Sequence, residues 1–206
     1  MAKENEFFKT KERKEKRRTK KHKDIIYRRY FNADGAVLRI KNNEGWGSYH
    51  PALRKTHDRC RHSLSHYCKV FCMRVDFKVT RELWNEGQFS SYLEKVKKKI
   101  MKRYRLKFVD HAWGRESSQD GSHHYHLLLL VDGSKVQYPS VVHNMLIDDW
   151  KKLGHPNPHW TTHHMIRNTI DDDFKNAFDQ FSYIAKIHTK DEQPPKARNF
   201  GFSSIQ

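Results

Sequence analysis

The chain lacks what a membrane protein or a disulfide-stapled scaffold needs. No stretch of its 206 residues approaches the roughly 18 consecutive apolar residues of a spanning helix. Its first residues are basic with no apolar run behind them, so no export signal is expected. Cysteine is scarce: Cys60, Cys68 and Cys72 are too few and too clustered for a disulfide framework, and free thiols in a reducing compartment are expected. No internal repeat is present. Acidic residues are in deficit as well, with 24 Asp and Glu against 41 Lys and Arg, which leaves a formal net charge of +17. On these grounds the protein is expected in the cytoplasm and off the membrane. A charge excess of this size points to a polyanionic partner, with nucleic acid the better match.

Residues 3–23 are almost all Lys, Arg and Glu and cannot build a core of their own. They form either a solvated tail or an electrostatic arm for a phosphate backbone. The stretch "FNADGAVLRIKNNEGWG" carries turn signals in Asp-Gly and Asn-Asn and reads as a linker with a short hairpin. Residues 1–50 are therefore expected to be a basic arm and linker, partly disordered, and residues 51–206 one folded domain opened by a helix at Pro51.

Inside that domain "KVFCMRVDFKV" alternates, with Phe71, Met73, Val75, Phe77 and Val79 on one face and Cys72, Arg74, Asp76 and Lys78 on the other. That pattern predicts a strand with a polar working face. The next segment has Phe89, Leu93, Val96 and Ile100 at helical spacing and a basic outer face that includes Lys97, Lys98, Lys102 and Arg103. These four, with Arg74 and Arg198, are the candidate DNA contacts. "FVDHAWGRE" and "HYHLLLLVDG" read as an antiparallel hairpin. A helix over "SVVHNMLIDDWKKLG", a short strand around "HHMIR" and a last helix from about Asp172 to His188 complete the order. Strand, helix, hairpin, helix, strand, helix is an α+β arrangement around one partly antiparallel sheet.

His124 and His126 project from one face of their strand. The chain holds 15 histidines, so a His-x-His spacing has little weight alone. Context adds to it: "LLLL" implies a central strand covered on both faces, where imidazoles need partners. If the hairpin pairs Glu116 with His124, the carboxylate shares their face. Two imidazoles and a carboxylate suit a divalent cation with open positions. The plainer alternative is a histidine pair bonded to backbone at the hairpin mouth. The second cluster, Cys60, His62, His66, Cys68 and Cys72, fits no closed zinc site and spans a helix-to-strand junction. His163 and His164 read as surface residues.

The His124-Tyr125-His126 strand, the carboxylate before it and the later Tyr183-Ile184-Ala185-Lys186 resemble the HUH endonucleases, which nick DNA for rolling-circle replication. "CMRVDF", "WGRE", "HHYHLLLL", "FSYIAKIHTK" and "RNFGFS" resemble, more closely, the replication initiators of filamentous phages (inoviruses) and their prophage relatives, the YagK/YfjJ C-terminal domain family. The resemblance spans about residues 51–206. It implies a five-stranded antiparallel sheet with flanking helices, the HUH or RRM-like palm. It implies Mg²⁺ or Mn²⁺ on the two histidines, a nucleophilic Tyr183 assisted by Lys186, and an initiator that nicks single-stranded origin DNA, leaving a 5′-phosphotyrosine and a free 3′-hydroxyl. Host replication machinery is a further implied partner; oligomeric state, origin sequence and preferred metal stay open. Ile187 stands where a two-tyrosine initiator would have its second tyrosine, so a single-tyrosine enzyme is expected. The alternative from another class is a non-catalytic, regulatory DNA-binding protein of phage origin.

Three Tyr-x-x-Lys matches exist, at Tyr92, Tyr104 and Tyr183. Tyr92 and Tyr104 continue the apolar stripe of their helix and read as core, whereas Tyr183 falls out of phase with Phe174, Ala177, Phe178, Phe181 and Ala185. Helical position thus selects Tyr183.

Overall fold

The computed structural model describes residues 24–42, 46–83, 85, 87–117, 122–187 and 198–205. Among these residues, strands and α-helices run in the order β1 (Ile25–Ile26), β2 (Tyr30–Ala33), β3 (Ala36–Arg39), β4 (Ser48–Tyr49), α1 (His50–His66), β5 (Val70–Val79), α2 (Gln88–Tyr104), β6 (Asp110–Ser117), β7 (His123–Asp132), α3 (Pro139–Lys151), β8 (His159–Ile166), α4 (Asp172–Phe181) and β9 (Phe200–Phe202). Five of the strands form one sheet in the order β8-β5-β7-β6-β9, and every neighbouring pair is antiparallel. The α+β class and the five-stranded antiparallel sheet are as expected. Two small ladders, β1–β4 and β2–β3, stand outside it.

The four consecutive leucines follow from β7 being the middle strand. Leu127 and Leu129 enter a core with Phe71, Met73, Val75 and Phe77 of β5, Phe89, Leu93, Val96 and Ile100 of α2, and Leu146 and Trp150 of α3. Leu128 and Leu130 point the other way, into a core with Leu53 of α1 and Phe174, Phe178 and Phe181 of α4. Side chains alternate across a strand, so a strand roofed on both faces needs apolar residues at every position. Full burial of each such leucine is worth about 1.5–3 kcal/mol.

Helix starts follow local chemistry. Pro51 sits in the first turn of α1, where its missing N–H is no loss. Asp171 caps α4, its side chain accepting from the Phe174 amide at 2.7 Å.

Packed structure begins before Pro51. The β2–β3 hairpin turns at Asp34-Gly35, both with positive φ. It buries Phe31 and Leu38 in the second core, where Phe31 stacks on Phe178 with centroids 5.8 Å apart. The short hairpin in the expected linker is thus part of the domain, because its alternate side chains cover the α4 side of the sheet. The basic arm, residues 1–23, lies outside the described residues.

The last helix ends earlier than expected. α4 stops at Phe181 and continues as a 3₁₀ turn over Ser182–Ala185. The chain is drawn off the helix by outside partners. Ser182 Oγ accepts from the Lys41 amide at 2.8 Å, Lys186 bridges to Ser48, and the Ile187 amide donates to Gly47 O at 3.2 Å. Among the described residues no helix is long and apolar enough to cross a membrane.

Candidate active site

The register of the central strands builds the site. β6 pairs Glu116 with His124 and Gly114 with His126, and β5 pairs Lys78 with His124 and Asp76 with His126. Directly opposed residues share a face. Two rows therefore lie side by side on the α4 face of the sheet: Asp76, His126 and Gly114 in one, Lys78, His124 and Glu116 in the next. The Glu116–His124 pairing is the one the hairpin reading required.

His126 is buried, and its Nδ1–H donates to Asp76 Oδ1 at 2.8 Å. With Nδ1 committed to Asp76, Nε2 is the ring nitrogen left for another partner. Nε2 makes no hydrogen bond among the described residues and lies 3.4 Å from Glu116 Oε2. Arg74 braces the same carboxylate, donating from Nε and Nη2 to the Asp76 oxygens at 3.3 and 3.0 Å, and reaches the Gln180 carbonyl at 3.5 Å. Burial opposes the charge on Asp76, but the hydrogen bond and charge of His126 and then the Arg74 guanidinium outweigh it and hold this carboxyl below the usual carboxylate range.

Tyr183 closes the site from above. Its ring meets the His126 ring edge-on, with centroids 4.7 Å apart at 81°, and covers the Arg74 guanidinium at 4.2 Å. Gly114 admits it: a Cβ there would stand 2.4 Å from Ile184 O, so only glycine lets the 3₁₀ turn settle on the sheet. Lys186 lies one 3₁₀ turn on, its amide donating to Tyr183 O at 3.1 Å. Its ammonium stands 5.0 Å from the Tyr183 ring and 4.1 Å from that of Trp46.

The other two Tyr-x-x-Lys tyrosines lie elsewhere. Tyr92 is buried against Phe77, Phe89 and Trp150, donates its hydroxyl to Leu146 O at 2.9 Å, and has its phenol pKa pushed up by burial. Tyr104 packs at the margin of the same core.

Tyr183, Lys186, His126, Glu116 and Arg74 are thus gathered at one place. His124 stands in the neighbouring row, half-buried. Among the described residues no three His, Cys, Asp or Glu side chains are grouped as a metal cluster would be. A divalent cation would find these donors: the buried Nε2 of His126, which makes no hydrogen bond among the described residues, with the far nitrogen of that ring held by Asp76, and the Glu116 carboxylate beside it.

Arg74 is only 4% exposed and belongs to this site, not to an outer DNA surface. Lys97, Lys98, Lys102 and Arg103 ride on α2, which covers the opposite face of the sheet. Lys97 pairs with Glu94 at 2.9 Å, while Lys98, Lys102 and Arg103 are exposed. Arg198 joins Lys97 and Lys98 around one groove at the β9 edge of the sheet. The basic helix and the tyrosine therefore serve different faces. In the cysteine and histidine cluster, Cys60 and Cys72 are buried, Cys68 is exposed, and His62 donates to Asp110 at 2.7 Å.

Three contributors escaped the sequence reading or were underweighted. Gly114 gave no signal beyond a glycine inside a strand pattern. Asp76 stood, with Arg74, only as a weaker candidate for shaping the site, since its pairing with His126 depends on β5 lying next to β7. Trp46 lay in the apparent linker.

Searches of the curated proteins and of the solved structures return no match. The model of the YagK/YfjJ C-terminal domain matches residues 34–203. That span reaches back into the β2–β3 hairpin and takes in every strand of the sheet and the whole site, and the chain belongs to the YagK/YfjJ C-terminal domain family.

Proposed function

We propose that this domain nicks single-stranded DNA through Tyr183, as the replication initiator of a prophage-type element. The observation that carries the reading is a half-buried tyrosine laid over an Arg74–Asp76–His126 chain on the α4 face of the sheet. A phosphodiester repels nucleophiles, so positive charge must meet its non-bridging oxygens before attack. Bound by His126 and Glu116, with His124 in the next row, Mg²⁺ or Mn²⁺ would supply that charge.

The chain's own residues do the rest. Deprotonated, the Tyr183 oxygen forms a bond to phosphorus and the bond to the 3′ oxygen breaks. The 3′ oxygen takes up a proton and leaves as a hydroxyl, while the 5′ oxygen stays on a phosphotyrosine that keeps the bond energy for rejoining. Arg74, fixed by Asp76 beneath the ring, holds positive charge against the phenolate and lowers the work of forming it. Lys186, one turn on, offers a second cation to the phenolate or to the phosphate. Asp76 keeps His126 in one tautomer and one orientation.

A binding-only protein is the second reading, favoured by the basic residues lying on the other face of the sheet. Labelled single-stranded DNA incubated with Mn²⁺ separates the two. A denaturation-resistant adduct that disappears in Tyr183→Phe supports nicking; DNA binding with no adduct supports the regulator.

A further inference from the structure

At the β9 edge of the sheet, a groove of about 650 Å³ is lined by α2, which lies on the face away from Tyr183, by β9 and by the end of α1 at His62 and His66. That volume is in the range of small-ligand sites. It lies at the Asp110 end of β6, roughly 20 Å along the strand from Glu116. Trp113 and His111 face into it from β6. Gly201 lets the β9 backbone lie against the indole, since a Cβ there would stand 2.2 Å from the Trp113 ring. Phe108 and Phe202 add aromatic surface.

The rim is cationic. Lys97, Lys98, Lys107 and Arg198 surround it, and its two carboxylates are already engaged. Glu94 accepts from Lys97 at 2.9 Å; Asp110 accepts from His62, Ser63 and Ser203 at 2.7, 2.8 and 2.6 Å. The positive charge of Lys98, Lys107 and Arg198 is left facing the groove.

His111 marks what the groove recognises. It is 6% exposed, and its backbone is tied to Ser203, the His111 amide donating to Oγ at 3.2 Å and the Ser203 amide to His111 O at 3.1 Å. Its ring Nδ1 is buried without a hydrogen-bond partner among the described residues. Burial first, and then the charge of Lys97, pushes its pKa down to about 4, so the imidazole is neutral at physiological pH. A neutral imidazole adds little for a bare phosphate, which the lysines already serve. It matches the donor and acceptor edge of a heteroaromatic ring. A base paired in a duplex could not present that edge to a recessed atom.

We propose that this groove binds one unpaired nucleotide of single-stranded DNA, the base turned in toward His111 among the aromatic side chains and the phosphates on Lys97, Lys98, Lys107 and Arg198. The inference rests on single-stranded DNA being the partner, not on Tyr183 being the nucleophile. A strand seated here passes around the β9 edge to reach Tyr183, so the groove anchors DNA away from the scissile phosphate.

The test is fluorescence anisotropy of the full chain with a short labelled strand and a set of copies carrying one abasic position each. One abasic position should weaken wild type several-fold, and His111→Ala should bind the intact strand as weakly as wild type binds that abasic copy. Lys98→Ala and Lys107→Ala, both at exposed sites, should each reduce the slope of log affinity against log salt by about 0.7. Thymidine monophosphate should compete better than inorganic phosphate. Equal competition by the two, or indifference to every abasic position with unchanged slopes, overturns the groove. Tyr183→Phe run beside these variants separates the two readings: it should keep every groove effect while losing the adduct. Strand binding that ignores the groove variants sinks this inference alone. Failure of wild type to bind any strand removes both.

Discussion

Adding one methyl group at Gly114 should displace Tyr183 without altering it. The new Cβ would stand 2.4 Å from Ile184 O and 3.2 Å from Ile184 Cγ2. Carbon-to-oxygen contacts relax to about 3.3 Å or more, so the 3₁₀ turn must retreat by about 1 Å. The opposing atom is backbone, and no rotamer change relieves it. Tyr183 is the residue next to Ile184 and moves with it. Overpacking of this kind costs about 1–3 kcal/mol of stability. For a chain of this size that lowers Tm by roughly 2–10 °C. A nucleophile misplaced by about 1 Å loses about a hundredfold in rate, equivalent to about 2.7 kcal/mol in the barrier. Gly114→Ala should therefore keep its circular dichroism spectrum, melt a few degrees early and form adduct about a hundredfold more slowly on labelled single-stranded DNA. Adduct formation at the wild-type rate in a folded, less stable Gly114→Ala protein would refute the claim that this close approach positions the tyrosine.

Asp76→Asn leaves Arg74 without its counter-charge and releases the His126 tautomer; Mn²⁺ affinity measured by calorimetry should fall about 10–100-fold, and an unchanged affinity would remove His126 from the metal site. The folded-state pKa of His111 lies below the ordinary value, so the unfolded chain takes up the proton first. Stability should be full above about pH 6.5 and decline as pH falls toward 4, by at most about 3 kcal/mol, and His111→Gln should flatten that part of a urea-denaturation profile. Burial pushes the thiol pKa of Cys60 and of Cys72 up, and only Cys68 is exposed. Iodoacetamide on the folded protein should therefore label Cys68 alone by peptide mapping; prompt labelling of Cys60 would contradict the packing of α1 on the sheet.

Periodicity carried much of the architecture. The four leucines announced a strand roofed on both faces, and the polar loop between the two strands announced the hairpin; its pairing of Glu116 with His124 was a supposition there and is the register found. The off-stripe phase of Tyr183 already separated it from Tyr92 and Tyr104. Its contact with His126 and Arg74 was not legible, because it depends on α4 tightening into a 3₁₀ turn held by Lys41, Gly47 and Ser48. The Asp76–His126 bond joins residues 50 apart in sequence, and local pattern says nothing of which strands become neighbours. The same limit hid the placement of α2 and Tyr183 on opposite faces. The β2–β3 hairpin looked like linker because its strands are only four residues long and each buries few side chains.

The central claim is that Tyr183 becomes covalently joined to DNA. Wild type, Tyr183→Phe, Tyr92→Phe and Tyr104→Phe, each incubated with Mn²⁺ and single-stranded DNA labelled on the 3′ side of the cut, should be denatured, digested and mapped by mass spectrometry for a phosphonucleotide-bearing peptide. The account predicts one adduct, on the peptide containing Tyr183, in every protein except Tyr183→Phe, which should bind DNA with nearly wild-type affinity. An adduct that persists in Tyr183→Phe, or that maps to Tyr92 or Tyr104, would contradict it.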